Sequence, residues 1–203
     1  MGELITLIEK DKRDKKNSLK LAYSKDDFFV PENLIIIGTM NTADKSLMQM
    51  DDALKRRFVF EELMPDTKLL ENQLREKNKV ANASDYSGIL KRINEKIIGK
   101  GNEDVNVRNE KMKQFRDRQI GHSYFWNIGK KGNPDDDLQK IIKYDVIPLL
   151  QDYFYGDYAE IRKILSKKDN EKDVSIINSD NRPTNLVTDV SQKENLRNAL
   201  TEI

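Results

Sequence analysis

Leu34-Ile35-Ile36-Ile37 is the segment that most constrains the fold. Four large apolar residues stand in a row, the last three of them β-branched, with Pro31 just before and Gly38 just after. Without polar alternation such a run reads as a strand buried on both faces, which is the habit of parallel sheets covered by helices. Directly after it come Asn41, Thr42 and Asp44. In an open α/β sheet the carboxyl end of a parallel strand is the edge where ligands bind.

The neighbouring segments extend this α/β reading. Leu4, Ile5, Leu7 and Ile8 recur at helical spacing and predict the end of a helix, followed by a lysine-rich turn from Lys10 to Lys16. Leu19–Tyr23 and Phe28–Val30 flank Ser24-Lys25-Asp26-Asp27 and predict a hairpin or paired loop edges. Ser46 is placed to cap a helix running to about Arg57, with Leu47, Met50 and Leu54 on one face. Phe58 to Leu63 reads as a further strand stopped by Met64-Pro65. Strand, loop, helix and strand in this order belong to the α/β class.

After Pro65 the pattern turns helical. Asp66 is a cap for a helix carrying Leu69, Leu70 and Leu74. A second helix spans roughly Tyr86 to Ile98, with Ile89, Leu90, Ile93 and Ile97 on one face and Gly99-Lys100-Gly101 as its stop. Polar residues fill Asn102 to Asn109, and a turn with aromatic residues follows from Ile120 to Trp126. Leu138, Ile141 and Ile142 mark another helix. Val146 to Phe154 continues it, with Pro148 either starting a new helix or kinking the old one. Tyr158 to Leu165 is a last short helix. The expected organisation is an α/β part over 1–65, a helical subdomain over 66–165 and a polar extension over 166–203.

Composition narrows the chemistry. Lys+Arg number 36 and Asp+Glu 35, so no overall basic field announces nucleic-acid binding. With no cysteine and one histidine, His122, disulfides and multi-histidine metal sites are excluded, and no metal site is expected in this chain. No apolar run approaches the roughly 18 residues that span a bilayer, and the N-terminus has no signal-peptide pattern. The expectation is a cytoplasmic protein without a membrane partner.

Two groups of residues offer phosphate chemistry. An asparagine at a strand tip can orient a water against a phosphate with its donor and acceptor. The alternative for Asn41-Thr42-Ala43-Asp44 is an ordinary loop with a local turn bond. Arg56-Arg57 ends a predicted helix, where cations suit the helix C-terminus. The same arginines are also suited to stabilise a phosphoryl group in transfer. His122 in a Gly-His-Ser turn is more ordinarily a hydrogen-bonding residue than a catalyst, and Tyr124, Phe125 and Trp126 are more ordinarily core packing than a base-stacking platform.

Taken in order, these strings resemble a family. Gly2-Glu-Leu-Ile-Thr-Leu-Ile-Glu9 comes first, then Val30-Pro-Glu-Asn-Leu-Ile-Ile-Ile-Gly-Thr-Met-Asn-Thr-Ala-Asp-Lys-Ser46. Ala53-Leu-Lys-Arg-Arg-Phe58 and Ile120-Gly-His-Ser-Tyr-Phe125 complete the series. Over about residues 2–155 this series is similar to the McrB-like AAA+ GTPases, motor subunits of modified-cytosine restriction systems. The Met-Asn-Thr-Ala-Asp string is specific to that branch, whereas Arg-Arg-Phe alone is not. Lys45 and Lys55 depart from the pattern, since arginine is common at the first position and at the second; charge is kept but not the bidentate geometry.

The resemblance implies a partial AAA+ P-loop-type parallel-sheet core followed by an α-helical lid. By it, Asn41 takes the sensor-1 position, with Thr42 beside it. Asp44 belongs to the branch's signature loop, which couples the motor to its partner. Arg56 and Arg57 match arginine fingers that reach a neighbouring subunit's nucleotide. Gly121 and His122 lie where the lid places its sensor-2 region. GTP or ATP with Mg²⁺ is the implied cofactor of the full-length motor. Other AAA+ subunits in a ring, a hexamer in the family, a nuclease subunit and, indirectly, DNA are the implied partners. The alternatives are a non-catalytic AAA+ interaction module and a fragment of a MoxR-like ATPase chaperone, which fits the Asn-Thr-Ala-Asp string less well.

A phosphate-binding loop requires Gly-x-x-x-x-Gly-Lys-Ser/Thr. Gly99-Lys100 is followed by Gly101 and Gly129-Lys130 by Lys131, so neither qualifies. No apolar strand ending in Asp-Glu supplies a Walker B motif. The expected consequence is that this chain alone binds no nucleotide tightly and hydrolyses none.

Overall fold

The computed structural model describes residues 2–41, 52–100 and 104–165. They fall into two compact units, Met1–Leu63 and Met64–Ile203.

The first unit opens with helix α1 (Gly2–Leu7), as the apolar spacing predicts, and Leu7 is buried. The lysine-rich stretch forms two short 3₁₀ turns, Lys10–Lys12 and Lys15–Asn17, the second capped by the Asp14 carboxylate. The hairpin also forms. β1 (Leu19–Lys20) pairs antiparallel with β2 (Asp27–Phe28), with Leu19 opposite Phe28 and Lys20 opposite Asp27. Arg13 then joins two segments: its Nε donates to the Ile8 carbonyl at 2.8 Å and its Nη1 to the Leu34 carbonyl at 2.9 Å.

The apolar run departs from expectation. β1 and β2 form the sole sheet among the described residues, and Leu34–Ile37 makes no ladder in it. Exposure along the run is 43%, 81%, 37% and 86%. This is the period-2 alternation of an extended chain, with one row half-covered and the other in solvent. A parallel strand is buried on both faces only where flanking strands and helices cover it, and no described segment pairs with this one. The parallel-sheet core is therefore not formed by the described residues. Phe58–Leu63 is corrected in the same way: it forms no strand, and Val59, Phe60 and Leu63 are exposed.

Of the helix expected to end at Arg57, the described part is α2 (Asp52–Lys55), and its last turn is continued by Arg56 N–H to Asp52 O and Arg57 N–H to Leu54 O. The expected cap, Ser46, lies outside the described residues, as does the extension from 166 onward.

The second unit is helical. Asp66 caps α3 (Thr67–Asn72), its carboxylate accepting the Leu69 N–H at 2.9 Å. A π turn over Gln73–Lys77 prolongs the helix. α4 (Ala83–Ile97) is the central element, and Tyr86, Ile89, Leu90, Ile93 and Ile97 on it are fully buried. Burying each such side chain stabilises by about 1.5–3 kcal/mol, so this stripe carries much of the unit's stability. Gly99 at φ +73 ends α4, with Lys100 N–H reaching back to Glu95 O as in a Schellman motif.

The polar stretch after Gly101 conceals a further helix, α5 (Val105–Phe115), whose sole buried residue is Phe115. α6 (Pro134–Ile141) is capped by Asn133 and carries Asp135, Asp136 and Asp137 in its first turn, where the helix dipole favours them. Between α6 and α7 (Ile147–Tyr153) the backbone widens into a π turn over Ile142–Val146, just ahead of Pro148. Pro148 has no N–H to give, and the wider turn accommodates it without ending the helical run. α8 (Tyr158–Leu165) closes the core with Ile161, Ile164 and Leu165. No helix among the described residues is long and apolar enough to cross a membrane.

Gly129 sits at φ +73, and a Cβ there would lie 2.5 Å from Val80 Cγ2 and 3.1 Å from Pro134 Cγ. A Cβ on Gly132 would have nothing within 4 Å. Gly129→Ala is expected to cost about 2 kcal/mol or more, from the left-handed backbone and the overlap together. Gly132→Ala is expected to be near neutral. Thermal melts of the two variants check this, and equal melting temperatures would refute it.

Candidate functional site

In the first unit Asn41, after Ile37, is exposed and lies outside any helix or strand. Thr42, Asp44 and Lys45 lie outside the described residues. Because Leu34–Ile37 is not in a parallel sheet here, the sensor-1 reading of Asn41 stands on the sequence resemblance and not on a strand-tip geometry.

The two arginines at the end of α2 have different surroundings. Arg56 is exposed. Arg57 is turned back into the unit: its Nη1 donates to the Ala53 carbonyl at 2.5 Å and its Nη2 forms an ion pair with Glu9. The Arg57 side chain is 17% exposed. One guanidinium thus ties α2 to Glu9, in the turn that follows α1, while its neighbour faces solvent.

In the second unit Gly121 and His122 lie in a segment fixed by side-chain amides. Asn94, on the buried face of α4, grips Ile120 with both ends of its amide. Nδ2 donates to Ile120 O at 2.9 Å and Oδ1 accepts the Ile120 N–H at 2.6 Å. Asn78, after α3, donates through Nδ2 to the carbonyls of Trp126 and Ile128, each at 2.9 Å. Between these grips Gly121 is extended and His122–Phe125 makes a 3₁₀ turn.

Phe125 is fully buried, Trp126 packs against the core, and Tyr124 is the exposed member of the aromatic trio. Core packing is thus the role of Phe125 and Trp126. His122 is a hydrogen-bonding residue, its Nδ1 accepting the Asp66 N–H at 3.1 Å. The ring lies 5.9 Å from that of Trp126.

Arg118 stands close by. Its guanidinium lies over the rings of Phe115 and Tyr153 and donates to Tyr153 O at 3.1 Å. Burial raises the Tyr153 pKa above its ordinary value; nearby Tyr124 adds to the rise and Arg118 opposes it. On α4, burial lowers the Arg92 pKa, against the pull of Asp85 and Glu95.

No glycine-rich string of the chain has the spacing that supplies backbone amides to cradle phosphates.

Residues 85–162 match the family described as McrB, alpha-helical lid domain, and residues 1–58 match the AAA domain of the dynein-related subfamily. The two matches fall on the two structural units. The chain is also 39% identical over 182 residues to the Type IV methyl-directed restriction enzyme EcoKMcrB subunit of Escherichia coli (strain K12). The chain is an McrB-like AAA+ protein. That similarity covers 82% of the McrB-like chain and 36% of the E. coli relative, so the chain spans about a third of the relative's length. The helical unit is accordingly an AAA+ lid of McrB type.

Sequence reading did not find Asn78, Asn94 and Arg118. Asn94 left a signal, since it stands on the apolar stripe between Leu90 and Ile97, where a polar side chain implies a buried hydrogen bond.

Proposed function

We propose that this chain supplies the later part of an AAA+ nucleoside-triphosphate motor in a restriction system directed at modified cytosine. In this reading Asn41 is its sensor 1, Asp44 part of its signature loop, and Arg56 the finger that reaches the nucleotide of an adjacent subunit. Gly121 and His122 belong to the lid segment that faces the chain's own nucleotide, GTP or ATP with Mg²⁺, held largely by other residues of the motor. The partners are further AAA+ subunits in a ring, a nuclease subunit and, through them, DNA. The observation that carries the proposal is the double match, an AAA domain over the first unit and an McrB lid over the second, together with the E. coli restriction subunit.

The exposure of Arg56 supports a role between subunits, and the Glu9 pairing of Arg57 supports an anchoring role. An anchored Arg57 holds the end of α2, and with it the base from which Arg56 extends.

The test is complementation in solution. Purified alone, the 203-residue chain is expected to show no saturable GTP or ATP turnover. Mixed with a related McrB-type motor whose own finger arginines have been replaced, it is expected to restore turnover. Saturable hydrolysis by the chain alone, or no gain on mixing despite co-elution with the motor, would sink the proposal.

A further inference from the structure

We propose that His122 is a positioning residue, a latch that joins the lid segment 120–128 to the point where the chain enters the lid. The segment is gripped at one end by Asn94 and at the other by Asn78. Phe125, between them, is fully buried. Its backbone is therefore fixed to α4 and to the turn after α3. His122 reaches from the middle of this fixed segment to the amide of Asp66.

Asp66 is a junction. Its carboxylate accepts the Leu69 N–H and its carbonyl accepts the Leu70 N–H, so it is built into the first turn of α3. Pro65, just before it, restricts the backbone and has no N–H to offer. The direction in which the chain arrives at α3 is set at this residue, and His122 holds its amide.

The hydrogen bond also fixes the imidazole. A ring nitrogen that accepts an N–H carries no proton, so the neutral ring bears its proton on Nε2. Among the described residues Nε2 makes no hydrogen bond, and the ring is half-exposed. Anything that turns the ring or engages Nδ1 releases the Asp66 amide, and a change of course at Asp66 pulls on a ring whose backbone cannot follow. If Gly121–Phe125 faces the nucleotide, the latch is a route from that ligand to the incoming chain; this consequence rests on the proposed function, whereas the latch itself does not.

Two isosteric variants separate the latch from the bulk of the ring. His122→Asn places an amide oxygen close to the Nδ1 position, and His122→Gln places its polar group closer to Nε2. The measurement is residue-resolved amide hydrogen exchange by NMR on the 203-residue chain, with His122→Ala as reference. The Asp66 amide is expected to exchange roughly five-fold faster in His122→Ala and His122→Gln, the factor that follows from losing a hydrogen bond of about 1 kcal/mol. In His122→Asn it is expected to stay near the wild-type rate. The Ile120 amide, held by Asn94, reports whether the lid is intact and is expected to remain protected in all variants. Wild-type exchange at Asp66 in His122→Ala overturns the latch, as does an asparagine variant no better than alanine. Loss of Ile120 protection along with Asp66 also overturns it, because His122 would then be a general stabiliser of the lid.

Discussion

A chain carrying Arg56→Ala, added to a related motor that lacks its own finger arginines, is expected to restore no measurable GTP turnover where the wild-type chain restores it. An arginine that neutralises charge on a phosphoryl group in transfer contributes roughly 10³-fold or more to kcat, so its removal leaves little to detect. Arg57→Ala is expected to behave differently. Its guanidinium is committed to Glu9 and to the Ala53 carbonyl within the same unit. A partly exposed ion pair of this kind is worth at most about 1 kcal/mol. The variant should therefore lose only a few-fold in restored turnover, by loosening the end of α2. Glu9→Gln removes the other half of the pair and is expected to copy Arg57→Ala. Turnover abolished by Arg57→Ala but unaffected by Glu9→Gln and by Arg56→Ala would move the finger to Arg57 and refute the division of labour proposed for the pair.

The parts of the fold that could be read from the sequence are those decided locally. The α4 stripe was legible because Ile89, Leu90, Ile93 and Ile97 repeat at helical spacing and Gly99 supplies a left-handed stop. Asp66 was legible as a cap for the same reason: the bond it makes lies within its own turn. α5 was not, because apart from Phe115 it buries nothing and so carries no apolar stripe. Its one sign is Asp104, whose carboxylate accepts the amides of Asn106 and Val107.

Leu34–Ile37 fails in the opposite sense. Its composition makes it extended, but burial of a strand is a property of what lies beside it, and nothing among the described residues pairs with it. The candidate site divides along the same line. Arg56 and Arg57 were legible as a pair at a helix end, and their different fates were not, because Glu9 is distant in sequence. His122 was legible as a hydrogen-bonding turn residue, yet its partner Asp66 came only with the tertiary fold.

Asn94→Ala is expected to destabilise the lid by on the order of 3 kcal/mol, since a buried backbone donor and a buried acceptor each lose a partner at about 1–3 kcal/mol. Asn94 is 4% exposed and Ile120 is fully buried, so water cannot readily take the place of the amide. For a unit of about 100 residues this corresponds to a fall of roughly 10–20 °C in Tm. Two further substitutions separate the lost hydrogen bonds from the lost volume. Asn94→Leu keeps the branched shape and refills the space but leaves both Ile120 groups unpaired, and should fall nearly as far as alanine. Asn94→Asp keeps an acceptor for the Ile120 N–H but sets an oxygen against the Ile120 carbonyl and buries a charge, so at neutral pH it should be the least stable of the three. A leucine variant melting with the wild type would mean that the amide grip contributes nothing and that the 120–128 segment is held by the burial of Phe125 and Ile128 alone. Such a result would remove the rigid segment on which the His122 latch depends.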